Sequence, residues 1–305
     1  MAQSFRSLIL DQVGSTNREA LALAEAGEAG PLWIVARRQT AGRGRADRQW
    51  LSAPGNLHAS LLINLVCPPT AVPQLALLAG VATLDAIRQA DARGRDGGLT
   101  GLRLKWPNDI LIGQAKCAGI LVESSRSPQP QRNSPAPCRE GLGVGQTPNL
   151  DALESPPCPS PTREEGTLWP APRHNSVAAV IGIGINLAWH PTGMHRAATH
   201  LAAHGYRASA EAVLGSLSQA MQHWLAVWNA GRDFASVRRA WLDRAGQPGE
   251  ACTVDTGRER IEGTFAGLDS NGALVICDNE GRRHTVTFGD VALVAAVAAA
   301  PQEAS

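Results

Sequence analysis

The sequence predicts an α+β fold, in which a larger part that mixes helices with strands is followed by a small part built of strands alone. Apolar residues recur at helical spacing on one face over 211–228. Apolar runs typical of buried strands occur at 31–36, 57–66 and 177–187. After Gly249 four short strand-like runs follow, separated by turns rich in Asp, Asn and Gly, which predicts a small β-barrel.

The other elements can be placed in order along the chain. The first helix opens at Ser15, where Thr16 and Glu19 have the spacing of a capping box, and Gly27 is placed to end it. Two further helices are expected over 73–90 and about 234–244. Short strands are expected at 102–105, 109–112 and 116–123, and in the small part at 252–255, 261–269, 273–278 and 284–288.

Residues 125–175 differ from the rest of the chain. They hold 11 of its 20 prolines and little periodic apolar content. Such a segment cannot bury enough apolar surface to offset the entropy of ordering it, so we predict a disordered insertion that joins two neighbouring strands. The expected domains are therefore 1–247, with this insertion inside it, and 248–300.

Composition excludes several classes of function. The net charge of +1 gives no reason to expect DNA or a membrane as partner. Six cysteines occur without a C-x-x-C pair, so no zinc or redox motif is present, and scattered thiols fit a reducing cytoplasm. The N-terminus lacks the features of a signal peptide, and the apolar run 291–300 is about half of what a membrane span needs.

The two lysines of the chain form the first candidate site. Of 28 Lys and Arg residues only Lys105 and Lys116 are lysines, and they fall within 12 residues of each other. Lysine provides a compact, flexible ammonium that the planar guanidinium of arginine does not imitate. The alternative is chance spacing on a solvated loop.

A loop rich in arginine and glycine forms the second candidate. Its arginines face a single acidic residue, Asp47, and are Arg37, Arg38, Arg43, Arg45 and Arg48. Gly42 and Gly44 let the backbone approach a ligand closely, so phosphate or carboxylate is the natural guest. The alternative is an exposed basic loop, and the sequence is not that of a P-loop.

Residues near both lysines could serve nucleotide phosphates. Lys105 and Asp109 flank Trp-Pro-Asn at a strand-to-turn corner, where Asp109 and Asn108 offer oxygen ligands for Mg²⁺. A surface turn with a salt bridge is the alternative. Lys116 begins an apolar strand, where a lysine can also simply extend to solvent.

Two further motifs are weak by themselves. Gly182-x-Gly184 followed by Asn186 more often marks close backbone packing than a nucleotide site, and it lacks the full dinucleotide-binding pattern. Ser15 and Thr16 are explained by helix capping without a ligand. No Ser/His/Asp or Cys/His grouping supports nucleophilic catalysis.

Taken in order, the motifs resemble the catalytic domain of biotin protein ligases over about residues 8–124 and 176–295. They are Ser-Thr-Asn, Gln-x-Ala-Gly-Arg-Gly-Arg, Lys-Trp-Pro-Asn-Asp, Lys-x-Ala-Gly-Ile-Leu and Gly-x-Gly-Ile-Asn. The resemblance implies a mixed β-sheet flanked by helices, as in lipoate ligases, with a C-terminal SH3-like β-barrel. It implies an enzyme that activates biotin with ATP and Mg²⁺ and transfers it to a lysine of the biotin carboxyl carrier protein of acetyl-CoA carboxylase.

The resemblance also assigns site residues. Biotin would be bound by Ser15, Thr16, Asn17, Gln39, Arg43, Gly44, Arg45, Lys116, Gly119, Gly182 and Gly184. ATP would be bound by Arg43, Arg45, Lys105, Asn108, Lys116 and Asn186. Lys116, Arg45 and Asp109 would be catalytic, with Asp109 on Mg²⁺.

Departures from the family pattern leave alternatives open. The chain begins at the catalytic domain rather than at a helix-turn-helix domain, so we expect a monofunctional enzyme and no repressor. Asp47 replaces a glycine common in the family, and the insertion lies near a surface that some members use to dimerise, so a monomer and a homodimer both remain open. A lipoate- or octanoate-handling relative and a non-catalytic biotin sensor are the rival functions.

Overall fold

The computed structural model describes residues 5–91, 99–126, 176–193 and 196–293. The predicted disordered insertion lies, apart from its first two residues, outside these described residues. The four α-helices are α1 (Thr16–Glu25), α2 (Gln74–Ala90), α3 (Ala210–Trp228) and α4 (Phe234–Leu242). The strands of the larger part are β1 (Arg6–Val13), β2 (Leu32–Gln39), β3 (Leu57–Val66), β4 (Leu102–Lys105), β5 (Asp109–Ile112), β6 (Ala115–Arg126) and β7 (Ser176–Ile185).

These seven strands form one mixed sheet in the order β1-β2-β3-β7-β6-β5-β4. β1 and β2 are parallel, and the other neighbouring pairs are antiparallel. Helices cover both faces of the sheet. Because successive side chains of a strand point to opposite faces, neighbouring residues pack against different helices. Leu61 packs in the cluster that contains α2, α3 and α4, whereas the adjacent Leu62 packs with α1. The predicted mixed sheet flanked by helices is confirmed.

α2 is the central helix of the larger core. Twelve of its residues are buried, including Leu75, Leu78 and Leu84. Within the described residues, Pro69–Ala90 is the one helical stretch long and apolar enough to cross a membrane, and 72% of its most apolar window is buried inside the protein. That burial is the environment of a core helix.

The hairpin of β6 and β7 confirms that the insertion joins neighbouring strands. The two strands pair antiparallel from Ala118–Ile185 to Arg126–Val177, directly at the ends of the insertion. This register places Gly119 opposite Gly184. The two motifs that contain these glycines are distant in the sequence and lie side by side on the sheet.

The small C-terminal part is a five-stranded antiparallel sheet. Its strands are β8 (Ala251–Asp255), β9 (Arg260–Leu268), β10 (Leu274–Cys277), β11 (Arg283–Val286) and β12 (Asp290–Leu293). Their order is β11-β10-β9-β8-β12. Among the described residues no hydrogen-bonded pair joins β11 to β12, so the sheet is not closed into the predicted barrel.

This small sheet is held against the larger part by polar contacts. The Trp106 indole N–H donates to the Gly272 carbonyl at 3.0 Å, and Arg103 pairs with Glu250 at 2.7 Å. Both side chains of the ion pair are largely buried. The sheet therefore draws stability from its neighbour, as expected for a unit of this size.

One strand was not predicted, and one local prediction was wrong. β1 was not foreseen, because only Leu8 and Leu10 of this edge strand pack against the core and Ile9 is 61% exposed. The capping box also fails. Ser15 is the N-cap of α1 but makes no side-chain cap bond, and the Thr16 hydroxyl bonds instead to Gln39.

Candidate active site

The sequence motifs meet in one cavity of about 160 Å³. It is formed where α1 begins, β2 ends and the loop 40–56 crosses the strands β5, β6 and β7. Fourteen of the fifteen predicted site residues line it, namely Ser15, Thr16, Asn17, Gln39, Arg43, Gly44, Arg45, Asn108, Asp109, Lys116, Gly119, Gly182, Gly184 and Asn186. The fifteenth, Lys105, is not among the lining residues, and its Nζ lies 3.8 Å from Asp109 Oδ2.

One end of the cavity is a network of uncharged polar groups. Gln39 Oε1 accepts from the backbone N–H of Thr16 at 2.8 Å and from its hydroxyl at 3.1 Å. Ser60 Oγ lies 2.7 Å from Thr16 Oγ1 and 2.6 Å from Asn17 Oδ1. Since Ser15, Thr16, Asn17 and Ser60 are buried, their side chains are fixed before any ligand arrives.

Glu123 joins this polar end to the arginine loop and was missed by sequence reasoning. Its Oε2 accepts from Asn17 Nδ2 at 2.7 Å, and its Oε1 accepts from Arg43 Nη2 at 2.9 Å. The partners are 106 and 80 residues away along the chain. The available signal was a single carboxylate at the end of an apolar strand, which by itself indicates no partner.

Glycines form the floor of the cavity, and Trp50 covers them. A Cβ built on Gly184 would lie 2.5 Å from Trp50 Cε2, and one built on Gly182 would overlap Asn17 Oδ1. Trp50 and Asn17 can therefore lie this close to the sheet only because these positions have no side chain. Trp50 was not predicted as a site residue. It follows the glycine-rich motif in the sequence, and only the folded loop brings its ring onto the glycine floor.

His58 lies beside this tryptophan on β3. The indole N–H of Trp50 lies 3.4 Å from His58 Nδ1, and the His58 ring is almost fully buried. Burial lowers the pKa of His58 to about 4. The imidazole is therefore neutral at pH 7, and its Nδ1 can accept the indole proton.

We predict that His58 makes the protein less stable in acid. Between pH 6.5 and 4 the unfolded chain binds a proton at this position and the folded chain does not, so stability falls as the pH falls, by up to about 3 kcal/mol. Melting temperatures from pH 7 to 4 should decline less steeply for His58→Gln. The exposed His223→Gln is the matched control, and equal slopes in all three proteins would contradict the prediction.

Another part of the cavity is cationic. Lys116 Nζ lies 2.5 Å from Asp109 Oδ1. Burial would raise the pKa of Asp109, but the charges of Lys116 and Lys105 outweigh it and hold that pKa below its usual value. The carboxylate is ionised at neutral pH and fixes the position of the Lys116 ammonium.

This environment does not fit the prediction that Asp109 holds a resident Mg²⁺. Its two carboxylate oxygens face two lysines, and among the described residues no three His, Cys, Asp or Glu side chains group to hold a metal ion. Mg²⁺ can instead arrive on the phosphate oxygens of a nucleotide, with few protein ligands. Asp109 is better understood as the partner of Lys116.

The arginine loop crosses the cavity as a narrow turn. Gly44 N–H donates to the Arg48 carbonyl at 2.6 Å, and Trp50 N–H donates to Gly42 at 2.9 Å. Ala46 and Asp47 have φ of 52° and 53°, a region in which glycine is favoured. This explains physically why glycine suits the position that Asp47 occupies.

The segment 196–198 forms a further part of the wall. Lys116 N–H donates to the Ala197 carbonyl, and Thr199 N–H donates to the Lys116 carbonyl, both at 2.9 Å. Asn186 Nδ2 donates to the Thr199 carbonyl at 3.1 Å. Arg196, which was not predicted, also lines the cavity.

Comparison with known proteins identifies the class. A family model described as the biotin/lipoate A/B protein ligase family matches residues 10–133, and one described as the biotin protein ligase C-terminal domain matches residues 249–294. A solved structure of the biotin protein ligase from Aquifex aeolicus in complex with biotin and ATP has the same fold. Its TM-score is 0.65 at 23% identity, over 95% of this chain and 98% of that chain.

Sequence relatives narrow the class to one family. The biotin–[acetyl-CoA-carboxylase] ligase of Paracoccus denitrificans is 32% identical over 281 residues, which are 90% of this chain and 95% of that protein. A protein of the same name from Mycobacterium tuberculosis is 40% identical over 118 residues, which are 38% of this chain and 43% of that protein. The chain belongs to the biotin protein ligase family.

Proposed function

We propose that this protein activates biotin with ATP and transfers the biotinyl group to one lysine of the biotin carboxyl carrier protein of acetyl-CoA carboxylase, in the cytoplasm. As a member of its family, the protein is an ATP-dependent biotin ligase. The identity of the carrier, the compartment and the role of each residue are our proposals. The two-domain division at residue 247 is proposed as well.

The position of Lys116 is the observation that carries this proposal. Its ammonium lies 5.5 Å from the centre of the Trp50 ring and 2.9 Å from a Cβ built on Gly119. It therefore lies where the glycine floor meets the cationic end. A carboxylate of a substrate lying on the floor would meet this ammonium, and so would the α-phosphate of a nucleotide at the other end.

The uncharged polar end suits the neutral ureido ring of biotin. A urea offers two N–H donors and one carbonyl acceptor, and hydroxyl and amide side chains can satisfy all three. We assign this role to Ser15, Thr16, Asn17 and Gln39, with Glu123 holding Asn17 in place. The glycine floor and Trp50 then pack against the apolar part of the substrate.

The cationic end suits the nucleotide. Arginine and lysine neutralise phosphate oxygens, and a preorganised cluster does so without rearrangement. We assign contacts with ATP to Arg43, Arg45, Lys105, Asn108, Lys116 and Asn186. Asp109 acts through Lys116 as a positioning residue. Mg²⁺, carried by the phosphates, would add charge neutralisation there.

The chemistry proceeds in two steps. A carboxylate oxygen of biotin attacks the α-phosphorus of ATP, the bond to the β-phosphate oxygen breaks, and pyrophosphate leaves. Lys116 stabilises the negative charge that grows on the α-phosphate oxygens. The ε-amine of the carrier lysine then attacks the carbonyl carbon of biotinyl-AMP, loses a proton, and AMP leaves as the amide forms.

Biotin-dependent exchange of labelled pyrophosphate into ATP tests the function. Exchange with biotin, unaffected by excess lipoate or octanoate, is the expected result. Exchange driven by lipoate would place the protein with the lipoate-handling relatives. Biotin binding without exchange would identify a sensor, and either outcome would overturn the proposal.

We predict that Arg45→Gly releases biotinyl-AMP faster, by about tenfold, since one charge-assisted contact contributes roughly 1.5 kcal/mol. Arg45 Nη1 donates to Asn108 Oδ1 at 3.3 Å, so its loss opens the loop beside the adenylate. Biotinylation of added serum albumin reports the leak. Arg37→Gly, which removes an exposed arginine outside the cavity, is the control. Equal labelling by the variant and wild type would contradict the assignment.

A further inference from the structure

The small C-terminal sheet reaches the cationic end of the cavity. Arg48 donates to both carboxylate oxygens of Asp290, at 2.7 and 3.0 Å. Arg196 lies 2.9 Å from the same carboxylate. Arg45 donates to the carbonyl of Gly289 at 3.2 Å. Three arginines that line the cavity thus converge on two adjacent residues of the small sheet.

Asp290 is held in place by the small sheet. It opens β12 and pairs with Asp255 of β8, and a Cβ on the preceding Gly289 would lie 2.9 Å from Val254. Burial raises the pKa of Asp290, but the hydrogen bond from Arg48 and the charge of Arg196 outweigh it and set the pKa at about 2. The carboxylate is therefore charged throughout the neutral range.

The arginine loop needs an anchor. Ala46 and Asp47 adopt left-handed backbone conformations, which cost about 1–3 kcal/mol each in non-glycine residues and persist only where surrounding contacts impose them. The Arg48 and Arg196 side chains are 43% and 47% exposed. Without a partner, both long side chains would sample many rotamers.

We propose that Asp290 is a positioning residue for ATP, holding Arg48 and Arg196 towards the triphosphate and the loop in the conformation that the nucleotide needs. This inference rests on the proposed function. The negative charge of Asp290 does not make this end of the cavity repel phosphate. Among the described residues around Asp290 and Asp109, the cationic side chains Lys105, Lys116, Arg45, Arg48 and Arg196 outnumber these two carboxylates.

Asp290→Asn is the test, because it keeps the side-chain shape and removes the charge. We expect the KM for ATP in pyrophosphate exchange, and the dissociation constant of labelled ATP in equilibrium dialysis, to rise about tenfold. Biotin affinity and melting temperature should stay near those of wild type. Glu259→Gln removes an equal charge from an exposed turn of the same sheet and should change neither. An unchanged ATP affinity in Asp290→Asn would overturn the proposal.

A double-mutant cycle shows whether Asp290 acts through Arg48. If it does, Arg48→Gln and Asp290→Asn together should weaken ATP binding far less than the product of their separate effects. If the two separate effects on ATP binding multiply in the double variant, Asp290 does not act through Arg48. Absence of exchange in the wild type would instead refute the proposed function, while dialysis with labelled ATP would still decide the role of Asp290.

Discussion

Replacing Lys116 with alanine will reduce biotin-dependent pyrophosphate exchange by about 10²–10³-fold, the usual effect of losing one group that stabilises transition-state charge. Asp109 holds this ammonium in place, with Lys116 Nζ 2.5 Å from its Oδ1. Lys116→Arg should recover little activity, because a guanidinium is planar and longer. Exchange at the wild-type rate in Lys116→Ala would remove Lys116 from the mechanism.

Loss of stability must be separated from loss of chemistry in that variant. Removing one partner of a buried pair leaves a buried charge and typically costs about 3–5 kcal/mol. Lys116→Met keeps a similar volume and leaves Asp109 paired with Lys105, whose Nζ lies 3.8 Å from Oδ2. We expect this variant to stay folded, with a lower melting temperature than wild type, and still fail to exchange pyrophosphate. A folded Lys116→Met variant with normal exchange would contradict the assignment.

The second large effect is expected at the glycine floor. Gly184→Ala places a methyl group 2.5 Å from Trp50 and forces that ring into the space proposed for biotin. Overpacking of this kind costs about 1–3 kcal/mol, which corresponds to roughly 5- to 150-fold in a dissociation constant. Isothermal titration should show weaker biotin binding, while the affinity for ATP stays unchanged.

A matched glycine elsewhere controls for backbone effects. Gly215 lies within α3, and a Cβ there would meet no heavy atom within 4 Å. Gly215→Ala should raise the melting temperature slightly, since alanine favours the helix by up to about 1 kcal/mol. Biotin affinity should not change. Normal biotin affinity in Gly184→Ala would show that biotin does not lie on this floor.

The sequence predicted the elements whose signal is local. β3 begins and ends where the apolar run 57–66 does, and α3 starts one residue earlier than expected. β1 and β12 were missed. β1 is an edge strand with one apolar face, and β12 is a four-residue strand whose pairing with β8 is the contact that defines it. Edge strands carry the weakest periodic signal because half of their residues meet solvent.

The capping box at Thr16 failed for a similar reason. Its spacing was correct, but the hydroxyl found a partner 23 residues away in Gln39. Local pattern and tertiary contact compete for the same hydrogen bond, and the buried contact prevails because a buried polar group must be satisfied.

By itself, the sequence determined which residue types form the candidate site. Two lysines in an arginine-rich chain and bare glycines in a strand are visible in the letters, since charge and backbone freedom are properties of single residues. Only the tertiary structure decided their partners. Asp109 pairs with Lys116, Glu123 joins Asn17 to Arg43, and Asp290 holds an arginine 242 residues away. Such pairings depend on distances that chain folding sets, and no spacing along the sequence encodes them.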